Sequence, residues 1–195
     1  MDPGARKPVC PTFGGARGRE IGVDNMITLL LGGARSGKSE LAERMAGALP
    51  EPVTYVATAD PGEDDDFARR IERHRARRPS AWTTVEAGPD LPAALKGLTG
   101  TIVIDSLGTW VASIPEFVVD ADPLCEALSA HAGAVFVVSE EVGMGVHPST
   151  EAGRRFRDAL GQVNTRIAAI ADEALLVVAG CTLRLELPFV QGARR

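Results

Sequence analysis

From Met26 onward, apolar residues fall in short unbroken runs separated by longer stretches in which they recur three and four positions apart. The runs "ITLLL" (27–31), "VTYVA" (53–57), "TIVID" (101–105), "AVFVVS" (134–139) and "ALLVVA" (174–179) predict strands, with "LRLEL" (183–187) as a sixth. Because they are continuous rather than alternating, they predict a sheet covered on both faces. Alternation of such runs with helical segments is the record of a mainly parallel sheet with crossover helices, an α/β fold. After His147-Pro148-Ser149-Thr150, the positions Phe156, Leu160, Val163, Ile167 and Ile170 share one helical face and predict the longest helix. Neither an internal repeat nor a linker divides the chain after Met26, so 26–195 reads as one domain. Residues 1–25 are Gly-, Pro- and Arg-rich without periodicity. They are expected to be a disordered leader, or the product of a start upstream of the true one at Met26. A chain beginning at Met26 is expected to fold and to turn over normally, as measured by activity of the truncated protein.

The first strand and the first helix enclose "GGARSGKS", in which Gly32, Gly33, Ala34, Arg35, Ser36, Gly37, Lys38 and Ser39 match GxxxxGK(S/T). Glycines let successive backbone N–H groups turn inward around phosphate oxygens; Lys38 adds a reaching charge, and the Ser39 hydroxyl can ligate Mg²⁺. A nucleoside triphosphate is the implied ligand. Asp105 ends the strand "TIVID", where its carboxylate can meet that metal or its water shell, or simply cap the turn. "DSLG" also matches a DxxG string, but no NKxD follows to read guanine by the switch-GTPase route.

The segment "GEDDDFARRIERHRARRPSAW" (62–82) predicts a helix, with acidic residues early and arginines late. Phe67, Ile71 and His74 share a face, while Arg69, Arg70, Arg73, Arg75, Arg77 and Arg78 crowd the imidazole. Nearby cations disfavour imidazolium, and arginines suit a polyphosphate, so a neutral His74 nitrogen could serve as nucleophile. A satisfied core histidine, or a histidine within a solvated basic helix, fits the same pattern.

Composition narrows the partners. The chain has 195 residues, 45% of them hydrophobic, and a formal charge of −5, which argues against a general nucleic-acid or membrane-surface binder and makes any anion site local. No apolar run reaches membrane-spanning length. Cys10, Cys125 and Cys181 lie far apart, with no CxxC pair, and suit a reduced cytoplasm.

The blocks "LLLGGARSGKS", "YVATAD", "RIERHRARRPSAWTTVEA", "VSEEVGMGVHP" and "FRDALGQVNTRIAAIADEALLVVAG" occur in one order over nearly all of 26–181. Together they resemble the adenosylcobinamide kinase / adenosylcobinamide-phosphate guanylyltransferase family of cobalamin biosynthesis. The resemblance implies a RecA-like P-loop fold, a homo-oligomer (dimer or trimer), and two reactions. Adenosylcobinamide is phosphorylated with ATP or GTP. GTP then guanylylates a histidine, which passes GMP to adenosylcobinamide phosphate. It implies that Gly32 to Ser39 form the cradle and that His74 is the guanylylated residue. It also implies nucleotide contacts at Thr58, Ala59 and Asp60, at Arg77, Arg78, Pro79 and Ser80, and at Glu86 and Asp105.

The chain departs from the family pattern in two places. Glu140-Glu141 stands where Asn-Glu is common, and the segment after Asp105, "SLGTWVASIPEFVVDADP", is short and has Ser113 where Asn is frequent. The short segment is expected on the corrinoid side or at subunit contacts, and it bears on kinase competence. His147 reads as a loop residue. Two other classes remain open to residue-level reading: a small-molecule kinase without a covalent step, and a regulatory nucleotide-binding protein with a basic docking helix.

Overall fold

The computed structural model describes residues 25–59, 75, 76 and 78–186. Among the described residues, seven strands form one sheet: β1 (Ile27–Gly32), β2 (Val53–Ala57), β3 (Thr83–Glu86), β4 (Thr101–Asp105), β5 (Val135–Glu140), β6 (Glu173–Val178) and β7 (Cys181–Leu185). Their spatial order is β3-β2-β4-β5-β1-β6-β7, all parallel except that β7 runs antiparallel to β6. Among the described residues, the helices with defined bounds are α1 (Lys38–Ala46), α2 (Leu91–Ala94), α3 (Leu107–Ser113), α4 (Asp122–Ala130) and α5 (Glu151–Ile170).

The continuous apolar runs do what their pattern requires. Alternate residues of β1, β4 and β5 face opposite sides, and each side has its own core. On one side, Ala42 and Ala46 of α1 pack with Leu30, Tyr55, Val103, Phe136 and Val138. On the other, Leu29, Ile104 and Val137 meet Leu107, Trp110 and Val111 of α3, Leu124 and Leu128 of α4, and Leu160, Val163 and Ile167 of α5. The longest helix begins where expected: Thr150 caps it, its hydroxyl accepting from the Gly153 N–H at 3.1 Å.

Three sequence expectations need correction. β3, "TTVE", was not anticipated, because a short, largely exposed edge strand has no apolar signature; its register against β2 (Thr54 beside Thr83, Ala57 beside Glu86) defines it. "LRLEL" is displaced to Cys181–Leu185, and this strand is exposed along its length rather than covered. The arginine-rich helix does not continue to residue 82. Pro79 cannot extend a helix, and the chain turns there, with Trp82 N–H donating to the Pro79 carbonyl at 3.0 Å. Phe67, Ile71, His74, Asp60 and Arg77 lie outside the described residues, as do residues 1–24.

Candidate active site

Parallel strands carry their C-terminal ends to one edge, where α/β folds bind ligands. Gly32, Thr58 and Ala59, Glu86, Asp105 and Glu140 all stand at or just beyond those ends. The phosphate loop leaves β1 at this edge. Arg35 (φ 58°) and Gly37 (φ 96°) bend it through left-handed conformations, and α1 begins with no side chain capping its N–H groups. Such an uncapped helix start, preceded by a glycine loop, presents donors and a positive dipole end to an anion.

The loop is braced from a distance in sequence. The Gly180 N–H, in the tight β6–β7 turn, donates to the Ser36 carbonyl at 2.9 Å, and an ideal Cβ on Gly37 would lie 3.6 Å from Gly180 Cα. At Gly32 a Cβ would lie 2.5 Å from the Val177 carbonyl and 2.6 Å from Ser36 Oγ, so only glycine fits. The buried Ser36 hydroxyl has no hydrogen-bond partner among the described residues, an arrangement suited to a loop that gains partners from its ligand.

Lys38 is buried, 4% exposed, and its ammonium donates to the Gly33 carbonyl at 3.3 Å while pairing with Glu140 Oε1 at 3.4 Å. The other oxygen, Oε2, accepts from Ser106 Oγ and from the Gly108 N–H, both at 3.0 Å. Buried Asn164 of α5 pins the strand end beneath it, accepting from Ser139 Oγ at 2.5 Å and donating to the Glu140 carbonyl at 3.1 Å. Glu140 therefore occupies the place beside the loop lysine, and it was absent from the sequence-derived site. The reason is strand order: β5 lies between β1 and β4, so Gly32 pairs with Glu140 while Asp105 pairs with Val138.

Asp105 is bound into a second group toward β3. Its Oδ2 accepts from the Tyr55 hydroxyl at 2.6 Å, the Arg78 guanidinium lies 3.6 Å above the Tyr55 ring, and Arg78 also donates to Thr84 Oγ1 at 3.0 Å. Burial, then the Asp105 charge, push the Tyr55 hydroxyl far above its ordinary range, so it remains a donor. Arg75, the neighbour of His74 in sequence, pairs with Glu86 Oε1 at 3.1 Å on the surface. Pro79 and Ser80 are exposed in the adjoining turn.

Thr58 is buried, and its hydroxyl is engaged within the protein. It donates to the Ser106 carbonyl at 2.6 Å, accepts from the Ser106 N–H at 2.8 Å and lies 2.6 Å from Thr109 Oγ1. Ser106 and Thr109 form the capping box of α3, so Thr58 fixes the turn that carries the Glu140 donors. Thr58→Val preserves shape but leaves the Ser106 N–H without this partner, and is expected to cost about 1–3 kcal/mol in urea unfolding. Ala59 follows, partly buried. The remaining histidines are accounted for: His131 Nε2 donates to the Gly100 carbonyl at 2.7 Å, and His147, in the loop before α5, accepts from Arg157 at 2.9 Å.

With this geometry in hand, similarity to known proteins places the chain. A model of the cobinamide kinase / cobinamide phosphate guanyltransferase family matches residues 28–185. The bifunctional adenosylcobalamin biosynthesis protein CobP of Pseudomonas aeruginosa is 38% identical over 170 residues, covering 83% of this chain and 98% of that protein. The protein CobU of Salmonella typhimurium, with the same description, is 36% identical over 183 residues, covering 83% of this chain and all (100%) of that protein. Among solved structures, an ATPase from a bacterial type III secretion system superposes with a TM-score of 0.50 at 12% identity, over 78% of this chain and 51% of that one. The chain thus spans about half of that ATPase, and the likeness concerns the fold alone: an α/β, RecA-like P-loop architecture. A family match running from the phosphate-loop strand to the terminal hairpin, with relatives aligned over nearly their whole length, means that this chain belongs to the cobinamide kinase / cobinamide phosphate guanyltransferase family.

Proposed function

We propose that a single phosphate cradle, Gly32 to Ser39, serves both half-reactions of this bifunctional enzyme of cobalamin biosynthesis. In the first, the terminal phosphoryl of ATP or GTP moves to the hydroxyl of adenosylcobinamide. In the second, His74 attacks the α-phosphorus of GTP, pyrophosphate leaves, and the GMP held on the imidazole passes to adenosylcobinamide phosphate to give adenosylcobinamide-GDP. The observation that carries this reading is the buried Lys38 at the start of an uncapped helix, after a loop bent through left-handed conformations at Arg35 and Gly37.

Residues flanking His74 support its part. Arg75 reaches Glu86 at the C-terminal end of β3, and Arg78 stacks on Tyr55 of β2, so both ends of this short described stretch are held at the ligand-binding edge. On the family resemblance, Asp60, Arg77, Pro79 and Ser80 are read as further nucleotide contacts. Two residues offer hard oxygen ligands of the kind Mg²⁺ takes: the partly buried Ser39 hydroxyl at the start of α1 and the Asp105 carboxylate at the end of β4, which also accepts from the Tyr55 hydroxyl. Bound there, the ion would neutralise charge on the phosphates, while Lys38 and the loop N–H groups orient them. We read the domain as 26–195 and the enzyme as a cytoplasmic homo-oligomer, on the family resemblance. Among the described residues, no helix is long and apolar enough to cross a membrane.

The test is retention of label. Incubated with α-labelled GTP, the protein is expected to hold an acid-labile, comparatively base-stable label, and to release it as adenosylcobinamide-GDP when adenosylcobinamide phosphate is added. A protein that stays unlabelled while making product overturns the covalent route.

A further inference from the structure

We propose that Glu140 is the proton acceptor of the kinase half-reaction. The inference rests on the shared-cradle reading and deepens it. A phosphate-loop lysine engages the β- and γ-phosphates. Lys38 Nζ lies 3.4 Å from Glu140 Oε1, so a carboxylate stands within a few ångströms of where the γ-phosphoryl must sit. It is held there from several sides. Ser106 Oγ and the Gly108 N–H both bind Oε2, and Asn164 fixes the strand end. That clamp leaves Oε1, the oxygen facing the loop, as the one released when Lys38 turns to the phosphates. The carboxylate is this chain's own feature, since the family pattern commonly has an asparagine in its place.

The two half-reactions differ in their need for such a group. In the kinase step, the substrate hydroxyl oxygen forms a bond to the γ-phosphorus and the bond from that phosphorus to the β–γ bridging oxygen breaks. The hydroxyl proton passes to Glu140 Oε1, and the nucleoside diphosphate leaves. In GMP transfer, the attacking groups are a neutral imidazole lone pair and then a phosphate oxygen that is already ionised near neutral pH, so no hydroxyl proton has to be removed.

The experiment measures both half-reactions in Glu140→Gln, using adenosylcobinamide with γ-labelled ATP for the first, and α-labelled GTP with adenosylcobinamide phosphate for the second. General-base removal is expected to lower kinase kcat by about a hundredfold or more, with nucleotide Kd and GMP transfer changed less than about fivefold. Parallel losses in both reactions would make Glu140 a brace for the cradle and overturn the proposal, as would an unchanged kinase rate. Gly108→Ala provides an independent variant should Glu140→Gln not fold. An ideal Cβ there lies 2.0 Å from Glu140 Oε2, so the intact carboxylate must shift, and kinase turnover should fall selectively. Equal loss in both reactions, or no loss, in Gly108→Ala also overturns it. Failure of the shared cradle would look different, because Lys38→Ala would then spare one half-reaction.

Discussion

His74→Ala protein incubated with α-labelled GTP retains no label and transfers no GMP, while it still phosphorylates adenosylcobinamide: this is the largest effect expected of any single substitution. Removing a covalent nucleophile eliminates the route, so the loss should reach at least about a thousandfold. Nucleotide affinity should hold, since the loop N–H groups and Lys38 supply it and the kinase step makes no use of the imidazole. The chemistry of the bond adds a second check, because a phosphoramidate is lost in acid and survives base, unlike a serine ester. Acid-labile label persisting in His74→Ala would place the nucleophile elsewhere. Of the other histidines, His131 and His147 already have partners in the Gly100 carbonyl and Arg157, and would be the next to substitute.

The second large effect is Lys38→Ala, in which both half-reactions should fall together by about 10²–10³-fold, the cost typical of removing one preorganised electrostatic contact. The buried ammonium donates to the Gly33 carbonyl of the loop proposed to hold the phosphates and pairs with Glu140. Deleting it both removes an attraction and leaves the Glu140 carboxylate opposite the triphosphate without its counterion, so binding should weaken along with turnover. The fold should persist, because alanine is a better helix former than lysine and Glu140 keeps its Ser106 and Gly108 donors. Rates of γ-phosphoryl transfer and GMP transfer, measured side by side, decide the matter. If one is unchanged, the two reactions use separate cradles.

Much of this architecture was legible from local pattern. The runs that became β1, β2, β4 and β5 were recognisable because strands buried on both faces are apolar without interruption. The start of α5 was recognisable from Thr150 ahead of a 3.6-residue period. The phosphate loop was visible because its glycines and lysine act through backbone geometry that the sequence specifies within eight positions, Gly32 to Ser39. β3 was missed because an edge strand such as "TTVE" is defined by its partner rather than by its own composition. The end of the arginine segment was overrun because the helix was carried past Arg78 into the uncharged "PSAW", although Pro79 has no N–H with which to continue it.

The sequence by itself therefore determined the α/β class, the phosphate-loop motif and, through the order of its blocks, the family, since each depends on residues close together along the chain. What only the tertiary structure decided is which carboxylate stands beside Lys38. Asp105 and Glu140 both end apolar strands, and nothing local distinguishes them. The crossovers insert β5 between β1 and β4, which brings Glu140 to the lysine and leaves Asp105 bound to Tyr55. The same holds for the brace of Gly180 on Ser36 and for the engagement of Thr58 with Ser106. Strand order is fixed by packing among segments far apart in sequence, and periodicity carries no record of it.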